Sequence, residues 1–460
     1  MGNKKNAWLK FDNTKKEEIF SFCEGYKKYI SDCKTERESI KEAISLAESK
    51  GYRDLKNVIS AGKSLKAGDK VYYNNMDKSL ALFLIGSENI ESGMRIIGSH
   101  VDSPRLDLKP NPLYEDSELS LMETHYYGGV KKYQWVTIPL ALHGVVVKKD
   151  GTKIDVVVGE EETDPVVMVS DLLVHLASEQ QQKKATEVIA GEDLNILVGS
   201  MPLEGEEKEA VKANILKLLK EKYDFEEEDF MSAEIEIVPA GKARDLGLDR
   251  SMVAGYGHDD RICAYTSLLA LLETESTKKT SVVLLVDKEE VGSIGATGMQ
   301  SRFFENAVAE LMDRVGEYSE LKLRRALANS KMLSSDVTAA FDPNYAGAYE
   351  KKNSAFFGKG LAFAKYTGAR GKSGCNDANA EFVAWLRNVM DENDVAYQMA
   401  ELGKVDQGGG GTIAYILAEY GMEVIDCGVA LQNMHAPWEV ASKVDIFETM
   451  RGYKAFLMAE

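Results

Sequence analysis

The run Ser281-Val282-Val283-Leu284-Leu285-Val286 constrains this chain more than any other stretch. A strand packed on one face alternates apolar and polar residues, because successive side chains point to opposite sides. Nothing alternates here, so the strand must be covered on both faces, as a central strand of a parallel sheet is by helices. The run ends in Asp287-Lys288-Glu289-Glu290-Val291-Gly292. Other apolar stretches end the same way: Met94-Arg95-Ile96-Ile97 in Gly98-Ser99-His100-Val101-Asp102-Ser103-Pro104, and Lys331-Met332-Leu333 in Ser334-Ser335-Asp336. Gly421-Met422-Glu423-Val424-Ile425-Asp426 leads on to Asn433-Met434-His435-Ala436-Pro437, and Gly257-His258-Asp259-Asp260-Arg261 opens an apolar helix over 262–272. Ligand sites of open α/β sheets gather outside the carboxyl ends of the strands. The expected fold class is α/β, a mixed, mostly parallel sheet covered by helices.

Residues 14–50 read as one or two amphipathic helices, with Ile19, Cys23, Tyr26, Ile30, Ile40, Ile44 and Ala47 at helical spacing and Gly51 as the stop. Residues 70–74 and 79–86 read as strands. The texture changes between 106 and 244. Residues 133–138, 140–147, 154–158 and 232–238 look like short strands, and Asp150-Gly151 marks a hairpin turn. Residues 169–184 and 208–222 look helical. Acid-ended strands resume only after this block. A β-rich domain over 106–244 is therefore expected as an insertion into one built from 1–105 and 245–460.

Composition excludes several classes. The 460 residues suffice for two or three domains without covalent staples. A net charge of −18 argues against a nucleic-acid binder, which needs a basic face. No apolar run approaches the ~20 residues of a membrane span. The start, Met1-Gly2-Asn3-Lys4-Lys5-Asn6, is polar without a secretory signal's apolar stretch, and Asn6 stands where myristoylation of Gly2 wants Ser or Thr. Cys23, Cys33, Cys263, Cys375 and Cys427 show no framework spacing, which points to a reduced interior. A cytoplasmic protein with no membrane or nucleic-acid partner is expected.

The strand-end residues supply the parts of a dinuclear hydrolytic site: His100, one of Asp259 and Asp260, the Glu289-Glu290 pair, Asp336 and His435. These N and O donors suit zinc, cobalt or manganese better than a thiolate site would. His100 and Asp102, two residues apart, share a strand face, so the carboxylate can fix the imidazole tautomer. Glu289 and Glu290 point in different directions, so one can ligate while the other handles protons. Blander readings stand beside these, since Asp259-Asp260 could simply cap the following helix. Gly292-Ser293-Ile294-Gly295-Ala296-Thr297-Gly298 lacks the Gly-Lys-Ser/Thr ending of a phosphate loop, and helix entry or close backbone packing explains it better.

The ordered set Gly98-Ser99-His100-Val101-Asp102-Ser103-Pro104, His258-Asp259-Asp260-Arg261, Asp287-Lys288-Glu289-Glu290-Val291-Gly292-Ser293, Ser335-Asp336-Val337-Thr338-Ala339-Ala340 and Met434-His435-Ala436 resembles the aspartyl aminopeptidase family across essentially the whole chain. The resemblance implies a zinc exopeptidase-like catalytic domain, interrupted by a β-rich dimerisation domain, with dimers assembled into a dodecamer. It implies two divalent metal ions, zinc above all: His100 and Asp336 on one, Glu290 and His435 on the other, Asp259 bridging. Glu289 would be the general base acting on a metal-activated water, and Asp102 would orient His100. It further implies a cis peptide after the bridging aspartate. His175 matches a histidine that the family lends to a neighbouring subunit's active site.

The activity implied is removal of N-terminal residues from small peptides. Acidic side chains would need a basic partner, for which Lys365, Arg370 and Lys372 are candidates, but Tyr366-Thr367-Gly368-Ala369-Arg370-Gly371-Lys372 departs from the family's usual run, which leaves a hydrophobic or broad preference open beside the acidic one. The alternatives are a deacylase or carboxypeptidase of the same clan, and a scaffold or binding particle whose metals are structural.

Overall fold

The Ser281–Val286 strand is buried along its whole length and divides its side chains between two apolar layers. Val282, Leu284 and Val286 pack with Ile96, Met332, Phe304, Val308 and Leu311. Val283 and Leu285 pack with Ile97, Leu333, Leu268, Phe447 and Tyr453 on the other side. Covering both faces removes the need for polar alternation. In this computed structural model, residues 5–368 and 370–460 are described. The Met1-Gly2-Asn3-Lys4 start and Ala369 lie outside the described residues.

Among the described residues the chain separates into two units. One comprises Met1–Asp102, Ala243–Met434 and Glu439–Glu460; the other comprises Ser103–Lys242 and His435–Trp438. The first unit is built on a nine-stranded sheet. Four neighbours at its centre run parallel: Ser281–Val286, Arg95–His100, Lys331–Ser335 and Glu423–Gly428. Antiparallel strands flank them, Ser79–Leu84 on one side and Leu361–Ala364 on the other. The register pairs Val286 with His100 and Ser335 with Cys427, so His100, Asp287, Asp336 and the turn at Glu289 emerge along one rim. This is the mixed, mostly parallel α/β sheet that the sequence implies.

Helices close both faces. Asp12 caps Asn13–Asp32 by accepting from the Lys15 amide at 2.9 Å, and Thr35 with Glu38 forms a capping box on Glu36–Ser49. That second helix ends where expected. Gly51 turns at φ +85°, and the Gly51 and Tyr52 amides return to Glu48 and Ala47. A separate five-stranded sheet joins Arg244–Leu246, Met252–Gly255, Glu439–Ser442, Ala430–Gln432 and Thr338–Ala339. Its strands are two to four residues long, too short to show a period in the sequence.

The second unit carries a seven-stranded sheet, antiparallel throughout, whose longest members are Arg105–Asp116, Leu119–Tyr127 and Leu140–Val147. The Asp150-Gly151 turn closes a hairpin, with the Lys148 amide donating to the Thr152 carbonyl. Two expectations fail here. Residues 133–138 form no strand: a 3-10 turn at Lys132–Gln134 leads into a loop that buries Trp135, and Pro139 follows. Residues 169–184 form no α-helix, only short 3-10 turns at Val174–Leu176 and Gln180–Gln182. The apolar side chains that suggested it, Leu172, Leu173, Val174 and Leu176, stay exposed, so no packing rewards a helix.

Asp445, fully buried in the Lys443–Met458 helix, ties that helix to the approach of the Leu361–Ala364 strand. Its two oxygens accept from the Gly358 and Gly360 amides, each at 2.7 Å. Burial pushes its pKa up to about 7, and the two amide donors offset only part of that rise. A carboxyl raised in the folded state binds more protons than the unfolded chain does, so stability should fall as pH climbs from about 4 to 7 and level off above. Asp445→Asn should lose about 1–3 kcal/mol at pH 5, because its NH2 would face the N–H of Gly358 or Gly360 and leave that donor unsatisfied, and much less at pH 8. Denaturant unfolding at the two pH values checks this; an identical loss at both would contradict it.

Candidate metal centre

His100 is the last residue of its strand and is 2 % exposed. Its Nδ1 faces the Asp102 main-chain oxygen at 2.9 Å and the Asp102 carboxylate at 3.3 Å. Its Nε2 faces Asp259 at 3.2 Å, Glu289 at 3.8 Å and Asp336 at 3.9 Å. One donor atom from each of His100, Asp259 and Glu290 lies within 4.8 Å of the others, and the same holds for His100, Asp260 and Asp336. The folded chain thus brings together His100, Asp102, Asp259, Glu289, Glu290 and Asp336.

Local structure aims these groups. The Asp102 carboxylate accepts from the amides of Glu289 and Glu290, both at 3.2 Å, so it grips the turn that follows the central strand. Lys288 takes a left-handed backbone at φ +68° to start that turn. Asp287 accepts from the Lys288 amide at 2.8 Å and the Thr297 hydroxyl at 2.6 Å, tying down the glycine-rich stretch 292–298. A Cβ on Gly298 would lie 2.3 Å from the Ser293 oxygen, so this stretch serves close backbone packing, as expected. Asp259 and Asp260 interrupt the first turn of the His258–Leu272 helix with non-helical angles, and the bond between them is cis, as the family resemblance implies. Glu439 accepts from the Asp259 amide at 3.1 Å.

The charges are crowded. Burial would push the His100 ring toward neutrality, but hydrogen bonds to Asp102 and Asp259 and the charges of Asp336 and Glu289 hold its pKa well above the ordinary value. Burial, then neighbouring carboxylates, pushes Asp260 and Asp336 well above the usual carboxylate range.

A family model described as Aminopeptidase I zinc metalloprotease (M18) matches residues 29–457. The chain belongs to the M18 family of zinc aminopeptidases. It is a hydrolase acting on peptides, similar to the probable M18 family aminopeptidase 1 of Clostridium acetobutylicum, with 66 % identity over 98 % of both chains. The crystal structure of the M18 family aminopeptidase from Thermotoga maritima matches with a TM-score of 0.95 at 45 % identity, covering 99 % of each chain. A more distant fold match is the S. cerevisiae mApe1 dodecamer, with a TM-score of 0.77 at 20 % identity over 95 % of this chain and 96 % of that one.

The M18 chain offers a donor set that fits the family's zinc. Carboxylates buried around one imidazole cannot all ionise without added positive charge. Neither oxygen of Asp260 makes a hydrogen bond of good geometry, and the Cys263 thiol lies beside it. His435 and His175 fall in the other unit. His435 Nδ1 faces the Gly129 carbonyl at 2.9 Å, whereas His175 is exposed on its 3-10 turn and is no core residue. Lys365 and Lys372 both face Asp377, at 3.9 and 2.8 Å, and Lys372 also lies 3.8 Å over the Tyr366 ring. Sequence reasoning missed the grip of Asp102 on both glutamate amides and the support from Glu439. Both are long-range contacts with no local signature.

Asp102→Asn should disturb three groups at once, because an amide NH2 would meet a backbone N–H at Glu289 or Glu290. Zinc affinity should weaken by roughly 10–100-fold, read by competition with a chromogenic chelator. Unchanged affinity would show that Asp102 does not position the site.

Proposed function

We propose that this chain removes N-terminal residues from small peptides through a dinuclear zinc centre held by His100, Asp259, Glu290, Asp336 and His435. The observation that supports this best is the convergence of Asp259, Glu289 and Asp336 within 4 Å of His100 Nε2. In this reading His100 and Asp336 would hold one ion and Glu290 and His435 the other, with Asp259 shared between them. When bound, such ions supply Lewis acidity to the scissile carbonyl and to water. Glu289, its main chain fixed by Asp102, takes the proton from the attacking water and passes it to the leaving amine. Asp102 keeps the proton of His100 on Nδ1, so that Nε2 is the ligating atom. The acid-rich rim favours a substrate that brings a free amine over one that brings a terminal carboxylate, which supports aminopeptidase over carboxypeptidase. The presence of Glu289 supports an enzyme over a scaffold particle, since a structural metal site needs ligands and no base.

The finer reading concerns substrate and assembly. A cavity of about 200 Å³ is lined by three cations, Arg370, Lys372 and Lys404, and by Tyr366 and Glu401, which hydrogen-bond to each other. Among the described residues, Arg370 and Lys404 make no ion pair, whereas Lys372 is answered by Asp377. This pocket suits an acidic N-terminal side chain, with Arg370 as its partner. We further infer homodimers built through the inserted unit and assembled as the S. cerevisiae relative is, into a dodecamer, with His175 reaching a neighbouring copy's site. The exposed Leu172, Leu173, Val174 and Leu176 around His175 support that contact. Buried, unpaired thiols at Cys23, Cys33, Cys263 and Cys427 support a cytoplasmic location. No helix among the described residues is long and apolar enough to cross a membrane.

The test is a panel of free-amine peptides and their N-acetylated counterparts, run after chelation and with zinc, cobalt or manganese restored. Cleavage confined to the free-amine set and restored by metal is the expected result; preference for the capped set would move the activity to a deacylase. Glu289→Gln should keep its zinc and lose at least 100-fold in turnover. Within the panel, Arg370→Ala should lower cleavage of Asp and Glu peptides at least tenfold relative to Leu peptides, since a lost charged contact costs about 1.5–3 kcal/mol. Equal losses on both would remove Arg370 from recognition, and unchanged turnover in His175→Ala would remove that residue.

A further inference from the structure

We propose that the main-chain carbonyl of Gly129 is a positioning group that sets the tautomer and aim of His435, a role that rests on reading His435 as a zinc ligand. His435 Nδ1 lies 2.9 Å from the Gly129 oxygen. A carbonyl oxygen only accepts, so Nδ1 carries the ring proton and Nε2 keeps its lone pair for a cation. His100 is arranged the same way, with Nδ1 2.9 Å from the main-chain oxygen of Asp102. Both histidines of the proposed centre thus present Nε2, each held from behind by a backbone carbonyl.

Two more observations show that the fit at His435 is built rather than incidental. A Cβ on Gly129 would stand 3.2 Å from His435 Nδ1, closer than most Cβ contacts, with Cε1 in ordinary contact at 3.6 Å. A side chain at this position would make the ring give by a few tenths of an ångström against its acceptor. The backbone at His435 is itself in the left-handed region at φ +65°, as is Asn433 at φ +60°, conformations that residues with a Cβ adopt rarely. The ring is therefore fixed at its root by the backbone and at Nδ1 by Gly129. Gly128, at φ +74°, turns the chain out of the Leu119–Tyr127 strand so that the Gly129 carbonyl is presented. In this way Gly128-Gly129 governs zinc affinity without supplying a side-chain ligand.

The experiment uses the full chain, labelled with 15N-histidine, in its metal-free and zinc-loaded forms. Magic-angle-spinning NMR above pH 8, with the His435 signals assigned by their loss in His435→Ala, reads the tautomer directly. The expected result is Nδ1–H with an unprotonated Nε2 in the metal-free protein, and zinc perturbing only Nε2. Gly129→Ala should mix the tautomers and weaken zinc binding about tenfold, measured by chelator competition. Nε2–H in the wild-type ring would overturn the proposal, and this arm decides even if Gly129→Ala does not fold. An unchanged tautomer and zinc affinity in a folded Gly129→Ala would overturn it as well. His435→Ala that still binds two zinc ions would instead strike the reading of His435 as a ligand, so the two failures are distinguishable.

Discussion

Asp102 is the junction on which the site depends. One buried carboxylate touches the imidazole of His100 and the amides of Glu289 and Glu290, groups separated by nearly 190 residues of sequence. A single anion thereby sets a prospective ligand, a prospective base and a second prospective ligand relative to one another. Both of its oxygens are engaged by these backbone amides. The parallel register beneath makes this grip achievable, since His100 and Val286 end their strands side by side.

The same site shows why its chemistry calls for cations. Water solvates carboxylates well, and the rim of a sheet buried by helices cannot. Asp259, Asp260 and Asp336 are brought together regardless, and the upward pressure on Asp260 and Asp336 measures what that proximity costs in the absence of added charge. Charge of the opposite sign turns the repulsion into attraction. Among the described residues, His100 alone lowers the pKa of both Asp260 and Asp336 by its charge, and one imidazolium is too little for three acids.

Much of the first unit was legible because its central strands obey a rule visible in six residues. From Val282 to Val286 every side chain is apolar, and the neighbouring strands carry acids or a histidine at or just past their ends. His100, Asp336 and the pairs Asp259-Asp260 and Glu289-Glu290 could be picked out for that reason, whereas the choice within each pair came from the family resemblance. Elsewhere the local signal misled. The apolar spacing of residues 169–184 implied a helix whose greasy face would be buried within the chain, and that face is open. The aromatic, β-branched run 133–138 looked like a strand, but Trp135 is buried from an irregular loop. The contacts of Glu439 with Asp259 and of Gly129 with His435 join positions about 180 and 306 apart. No window of sequence contains both ends of such a contact.

The strand order has a consequence for biosynthesis. Arg95–His100 lies between Ser281–Val286 and Lys331–Ser335, so both of its neighbours are translated long after it. A nascent chain that has passed residue 100 must wait some 180 residues for the first of them. Pairings of such long sequence separation form late and slowly. Until Asp336 has emerged, His100 has no rim to belong to. The rim that gathers these acids is therefore closed only once residue 336 has been translated, three quarters of the way along the chain.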